Sequence, residues 1–143
     1  MFVGHFAVAF AAKRLAPKVS LATLILAAAL SDALWIVFFT AGLEEVVIQP
    51  GIMVANSLNL VYVPFSHSLV MDAVWGGLFA GLYFLARRDA IGAWIIFAAV
   101  LSHWVLDVVT HRPDMQLAPG IEMRFGLGLW NSRPATLIRS RSI

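Results

Sequence analysis

The stretch VLSHWVLDVVTHRPD, residues 100–114, carries three potential metal ligands at intervals of four residues. In an α-helix, positions i and i+4 share a face and lie about 6 Å apart along the axis, so His103 and Asp107 can contact one ion together. His111 lies about 12 Å along the axis from His103, which is too far for both to bind one ion at about 2.1 Å. His111 therefore needs a second ion or a different role.

The chain that carries these residues is too apolar for a water-soluble domain. Of its 143 residues, 61% are hydrophobic and only 13% are charged, and the mean hydropathy is +0.86. Such a composition is typical of a membrane protein. Because the chain has no cysteine, a metal ion would be bound by histidine nitrogen and carboxylate oxygen. The net charge of +2, on scattered Lys and Arg, argues against a nucleic-acid partner.

The hydropathy pattern predicts an all-α integral membrane protein, a single domain with about four transmembrane helices and an irregular tail. The predicted helices are 2–16, 19–42, 64–86 and 90–111, and the tail is 112–143. A helix over 19–42 measures about 36 Å and can cross a hydrocarbon core of roughly 30 Å. The first helix, about 22 Å long, is short for a crossing. It is expected to be retained rather than cleaved as a signal peptide, and residues 43–63 are predicted to form a loop.

The distribution of Lys and Arg predicts the orientation of the helices. The connections after the first and third helices are basic, whereas the loop with Glu44 and Glu45 has no Lys or Arg. The positive-inside rule therefore places Lys13 and Arg87 in the cytoplasm and Glu44 in the periplasm. The histidine-bearing helix ends then share the periplasmic side, and His5 joins them if residues 2–16 cross the membrane.

Six ionisable side chains are the candidate metal ligands on this side: His5, Asp32, His67, His103, Asp107 and His111. Ionisable groups within a membrane are costly unless they have a partner. For Asp32, about 15 Å below the outer end of its helix, the cost is roughly 2.5 to 3.5 kcal/mol, and a bound cation would compensate. Asp72 is expected to interact with the N terminus of its own helix, and Gly77 and Gly81 form a pattern typical of helix packing.

Five ordered blocks extend from Gly4 to about Leu137: GHFAVAFAAKRLAPKVSL, LSDALW, PFSHSLVMD, LSHWVLDVVTHRPD and GLGLWNS. Together they resemble the membrane-bound, YdjM-like metal-dependent hydrolase family of bacteria. The resemblance implies a multi-pass protein of the bacterial inner membrane with zinc-dependent hydrolase activity. It assigns functional roles to six residues: His5, Asp32, His67, Ser68, His103 and Asp107.

The chain departs from the pattern of this family at three places. Asp32 stands alone in LSDALW where many relatives resemble PDxD, and FSHS lacks the arginine that commonly precedes the His-Ser pair. Most relatives continue with further apolar helices, whereas this chain ends in LIRSRSI. We therefore expect a truncated C terminus, which would also explain why the basic tail departs from the positive-inside rule.

Two functions of different classes are consistent with these observations. The first is a hydrolase that acts on an ester or phosphoester near the outer membrane face, with Zn²⁺ or another divalent metal as cofactor. Asp32, Asp107 and Ser68 are its expected catalytic residues, and the substrate is a small molecule or a lipid of the bilayer. The alternative is a non-enzymatic membrane protein whose His/Asp cluster relays protons or metal ions or braces the bundle.

Overall fold

The computed structural model describes residues 2–54 and 57–131, which form a helical bundle with two short β-hairpins at one end. The helices are α1 (Phe2–Leu15), α2 (Leu21–Ala28), α3 (Leu30–Thr40), α4 (Leu69–Arg87) and α5 (Ala90–Thr110). The strands are β1 (Glu45–Ile48), β2 (Leu58–Tyr62), β3 (Met115–Gln116) and β4 (Arg124–Phe125), and a 3₁₀-helix covers Leu129–Asn131. The predicted truncation at LIRSRSI lies outside the described residues.

Helices α4 and α5 are long and apolar enough to cross a membrane. They pack along each other and are joined by Arg88 in the left-handed conformation and by Asp89, whose carboxylate accepts the Gly92 N–H at the start of α5. The outward face of α4 exposes a continuous apolar stripe: Val70, Val74, Leu78, Leu82 and Leu85. A stripe of this kind suits contact with lipid tails rather than with water.

The helix predicted over 19–42 is divided in the structure. Helices α2 and α3 meet at Ala29 with a bend of 55°. Counted as one broken span, the pair brings the candidate crossings among the described residues to three. No Pro or Gly marks the break in the sequence, although these are the usual causes of a sharp kink. Asp32 therefore lies in the first turn of α3, beside the break, rather than midway along a continuous helix.

Helix α1, with 14 residues and a length of about 21 Å, is too short to span the hydrocarbon core by itself. A fourth crossing therefore stays a prediction. One face of α1, formed by His5, Ala9 and Ala12, is buried, as is Ala16 directly after the helix, and α1 packs against α2 and α5. The small side chains allow the helices to approach closely.

The two basic connections lie at the same end of the bundle. Lys18 after α1 and Arg87 at the end of α4 line one cavity together with Asp89. Lys13 donates hydrogen bonds to the carbonyls of Pro17 and Val19, at 2.8 and 2.7 Å. The orientation prediction requires both basic connections to lie on the same side of the membrane, and their common location agrees with it. That this side is the cytoplasm stays a prediction.

The hairpin end differs from the prediction of an all-α chain with a loop over 43–63. Strands β1 and β2 pair antiparallel, with an irregularity between Glu45 and Val46. Between the strands, Gly51 adopts a positive φ of 84°, which favours glycine. Strands β3 and β4 form a second hairpin in the predicted irregular tail. The fold is mostly helical rather than all-α, because the Pro-Gly segment marks a turn between two strands.

Glycines on α4 differ in what surrounds them. A Cβ added at Gly77 or Gly81 would meet no atom within 4 Å, so neither has the close helix contact that the small-residue pattern predicts. A Cβ at Gly76 would lie 3.2 Å from Phe97 Cδ2 and 3.2 Å from Val100 Cβ on α5. Among these three glycines of α4, Gly76 is therefore the one that permits close approach to α5.

Candidate metal centre

His103 and Asp107 lie one turn apart on the buried face of α5. Their side chains approach each other, with 3.2 Å between His103 Nε2 and Asp107 Oδ2. Both residues are almost fully buried. On α5 they follow Val100, which belongs to the alanine-rich core, and they alternate with Trp104 and Val108, which pack on the apolar cluster at the hairpin end. The pair therefore lies between the two cores of the protein.

His5 reaches this pair from α1. Its ring stacks on the ring of His103, with 3.9 Å between the centroids and 7° between the planes. His5 Nε2 lies 3.4 Å from Asp107 Oδ1, while His103 Nε2 approaches the other oxygen of the same carboxylate. The packing of α1 on α5 therefore brings together two histidines that are far apart in the sequence.

Asp32 and His67 complete the cluster from α3 and from the segment before α4. The Nε2 atoms of His67 and His103 each lie 3.6 Å from Asp32 Oδ1. His67 Nε2 also lies 4.0 Å from Asp107 Oδ2. Two groups with the spacing needed for metal binding result, one of His5, His103 and Asp107 and one of Asp32, His67 and His103.

Asp32 is the most exposed member of the cluster. The side chain of Asp32 is 30% exposed, whereas the side chains of His5, His67, His103 and Asp107 are no more than 7% exposed. Asp32 is therefore the member of the cluster that a molecule outside the protein can contact most readily. Five of the six ligands predicted from the sequence are brought together in this arrangement.

Comparison with known proteins identifies the family of this chain. The profile of the YdjM inner membrane protein family matches residues 1–141, which is nearly the whole chain. The chain belongs to the YdjM inner membrane protein family. No curated protein and no solved structure gives a significant match. Family membership and the apolar helices agree that this is an inner membrane protein associated with the lipid bilayer.

The break between α2 and α3 orients the ring of His103 in this family member. Ala28 is the last residue of α2, and carbonyls in the last turn of a helix lack a partner within that helix. His103 Nδ1 lies 2.9 Å from the Ala28 carbonyl oxygen, which can only accept a hydrogen bond. Nδ1 therefore carries a hydrogen, and whenever the ring is neutral its lone pair is on Nε2, which faces the two carboxylates.

A side-chain network holds the ring of His67. His67 Nδ1 lies 2.7 Å from Ser66 Oγ, and the Ser66 hydroxyl donates to Glu44 Oε2 at 2.6 Å. Glu44 Oε1 accepts the backbone N–H groups of Phe65 and Ser66, both at 2.8 Å. Glu44, Ser66 and His67 are all buried. The hairpin end of the protein is thus linked by hydrogen bonds to the candidate metal centre.

Two residues predicted for the site have other surroundings. His111 belongs to neither ligand group, and its Nδ1 lies 3.5 Å from Asp114 Oδ1 at the end of α5. The Ser68 hydroxyl donates to the Pro64 carbonyl at 2.6 Å, within its own segment. Neither residue therefore shares the contacts that join the five clustered side chains.

Several residues near the cluster are not predicted from the sequence as site residues. In the sequence, Glu44 indicates only the orientation of the helices. Ser66 directly precedes the His-Ser pair but has no predicted role. Asp72 is fully buried and accepts the Ser31 hydroxyl on α3 at 2.6 Å, instead of interacting with its own helix terminus. The only sequence signal for these residues is a polar side chain in an apolar region, which does not reveal its partner.

Proposed function

We propose that this chain is a membrane-embedded, metal-dependent hydrolase. One divalent centre would draw its ligands from five side chains: His5, Asp32, His67, His103 and Asp107. Their nitrogen and oxygen donors suit zinc, with another divalent first-row metal as the alternative. His103 belongs to both groups and offers a single nitrogen to an ion, so the five side chains make one centre rather than two independent ones.

The distances from Asp32 to the two histidine rings suit a shared cation better than direct hydrogen bonds. The distances of 3.6 Å from Asp32 Oδ1 to His67 Nε2 and to His103 Nε2 exceed the 2.7–3.2 Å of a normal N–H···O hydrogen bond. Two atoms each about 2.1 Å from a tetrahedral ion are about 3.4 Å apart. The separations across the cluster, from 3.2 to 4.0 Å, lie around that value.

The orientation of the two histidine rings is the observation that carries the proposal. With Nδ1 of His103 and of His67 as donors, the neutral rings would present their Nε2 lone pairs to the carboxylates of Asp32 and Asp107. His103 Nε2 is buried and, among the described residues, faces Asp107 Oδ2 at 3.2 Å and Asp32 Oδ1 at 3.6 Å. Lone pairs and carboxylate oxygens repel each other in a buried site, and a bound cation satisfies both.

The catalytic roles that we propose for Asp32 and Asp107 rest on how far each side chain is exposed. A divalent ion held by these residues would activate a water molecule and polarise an ester or phosphoester group. Asp32, the most open member of the cluster, accepts a proton from the attacking water in this proposal. Asp107 stays buried between His5 and His103 and holds their rings in place. We assign no step to Ser68, because its hydroxyl donates to Pro64.

A non-enzymatic role is the second candidate, and the broken helix favours it. Discontinuous membrane helices often provide sites for transported ions near the break, and intramembrane carboxylates line ion and proton paths. Asp32 lies beside a bend of this kind. In this reading the same cluster would pass metal ions or protons without hydrolysis.

The test is metal content in purified protein, measured by inductively coupled plasma mass spectrometry. We expect near-stoichiometric zinc in the wild type and loss of most of it in His103→Ala and Asp107→Ala. His111→Ala is the comparison variant and should retain the metal, because His111 lies outside both groups. Full occupancy in both ligand variants, with helicity unchanged by circular dichroism, would reject the proposed ligands.

Hydrolysis is then measured with bis(p-nitrophenyl) phosphate and p-nitrophenyl acetate. We expect turnover that is lost on chelation and restored by zinc. Stoichiometric zinc without hydrolysis of either compound, combined with zinc flux into proteoliposomes, would favour the second candidate.

A further inference from the structure

We propose that Glu44 and Ser66 are positioning residues that hold His67 with its Nε2 lone pair directed at the metal centre. This inference rests on the proposed function, because it concerns a ligand of that centre. It assigns a role to the segment between α3 and β1, which lies outside the helices that carry the other ligands.

Glu44 is placed to act only as an acceptor. It is 5% exposed, and its carboxylate receives three hydrogen bonds: Oε1 accepts two backbone N–H groups, and Oε2 accepts the hydroxyl of Ser66. Hydrogen bonds to an ionised carboxylate are about twice as strong as those between neutral groups. The direction of the Ser66 O–H bond is therefore fixed by Glu44.

The fixed hydroxyl determines the tautomer of His67. Ser66 has one hydroxyl hydrogen, and that hydrogen points to Glu44, so Ser66 Oγ presents a lone pair to His67 Nδ1 at 2.7 Å. Nδ1 must then donate, and the neutral ring keeps its lone pair on Nε2. This atom lies 3.6 Å from Asp32 Oδ1, at the metal centre. Residues that form hydrogen bonds with a metal-ligating histidine, directly or through another side chain, typically raise the affinity of the metal site by about 10- to 100-fold.

The variant Glu44→Gln reverses the direction of the network with almost no change in shape. The Gln oxygen would keep the two backbone N–H groups, which leaves its NH₂ group facing Ser66 Oγ. The Ser66 hydroxyl would then donate to His67 Nδ1, the other partner that the structure gives it. The hydrogen of the neutral ring would move to Nε2, where it blocks metal binding. Ser66→Ala instead removes the link without reversing it.

The first measurement is zinc affinity of the purified full chain in detergent, by competition with a chromophoric chelator. We expect Glu44→Gln and Ser66→Ala to bind zinc about 10- to 100-fold more weakly than the wild type. Glu45→Gln is the matched control, because Glu45 is the exposed neighbour of Glu44, and its affinity should be unchanged. Wild-type affinity in both Glu44→Gln and Ser66→Ala would overturn the inference.

The second measurement uses the zinc-free protein with ¹⁵N-labelled histidine, so it does not depend on the metal. NMR shifts of the ring nitrogens, assigned by comparison with His67→Ala, should show hydrogen on Nδ1 of His67 in the wild type and on Nε2 in Glu44→Gln. Hydrogen on Nε2 in the wild type would overturn the inference. A wild type that binds no zinc but shows the expected change of tautomer would reject the metal centre and leave the orienting role of Glu44 and Ser66 in place.

Discussion

Replacement of Gly76 by Ala should weaken the packing between α4 and α5. The added Cβ would lie 3.2 Å from both Phe97 Cδ2 and Val100 Cβ, whereas unstrained carbon atoms stay about 3.5–4.0 Å apart. Phe97 can adjust its ring, but Val100 Cβ is bonded directly to the backbone of α5, and Val100 is fully buried. The helices must therefore separate by a few tenths of an ångström.

Two opposing contributions determine the change in the free energy of unfolding that Gly76→Ala causes. Gly→Ala within a helix gains up to about 1 kcal/mol in helix propensity, and a misfitted methyl group in a packed interior costs about 1–3 kcal/mol. Gly77→Ala is the matched control, because it makes the same change one residue later at a position where the new Cβ meets no atom within 4 Å. Gly76→Ala should thus be less stable than Gly77→Ala by about 1–3 kcal/mol.

The assay is unfolding by sodium dodecyl sulfate in mixed micelles, followed by circular dichroism. The free energies of unfolding of both variants are compared with that of the wild type under the same conditions. Equal stability of Gly76→Ala and Gly77→Ala would refute the reasoning, because it would mean that α4 and α5 are not in close contact at Gly76.

Two further predictions concern orientation and a buried hydrogen bond. Since the chain has no cysteine, Lys13→Cys and Arg87→Cys should be protected from an impermeant thiol reagent added outside, and the exposed Glu45→Cys should react; the reverse pattern contradicts the topology. Ser31→Ala should lower the free energy of unfolding by about 1–3 kcal/mol, because it leaves a buried oxygen of Asp72 without its donor. Ser102→Ala, which removes only a bond to the carbonyl of Ala99 in the same helix, should have a much smaller effect, and an equal loss in both would contradict this account.

The sequence could predict features that depend on residues close together in the chain. The apolar runs indicated the two helices that meet the criteria for crossing a membrane, with the predicted ranges 64–86 and 90–111 near the observed α4 and α5. The four-residue spacing of His103 and Asp107 placed both on one helical face, because the helical repeat fixes that geometry locally. The helical spacing also predicted that His111 lies too far from His103 to share an ion with it. In the structure, His111 Nδ1 lies 3.5 Å from Asp114 Oδ1 instead.

The bend at Ala29 could not be predicted in this way. Its surroundings, LAAALSDAL, contain no helix breaker, and a continuous helix is the reasonable local expectation. In the structure, Ser31 contacts Asp72, and the Ala28 carbonyl receives His103. These contacts come from α4 and α5, so they offset the cost of a break only after the bundle has formed.

The amino-acid sequence by itself determined that this is a membrane protein, where its two long helices lie, and that a metal ion would have only nitrogen and oxygen ligands. Only the tertiary structure decided that His5 stacks on His103 and that Ser66 links Glu44 to His67. The physical reason is the separation along the chain of the residues that interact. Hydropathy and helical spacing act over a few neighbouring residues, whereas the hydrogen bonds that orient the rings join Ala28 to His103 and Glu44 to Ser66, which are 75 and 22 residues apart.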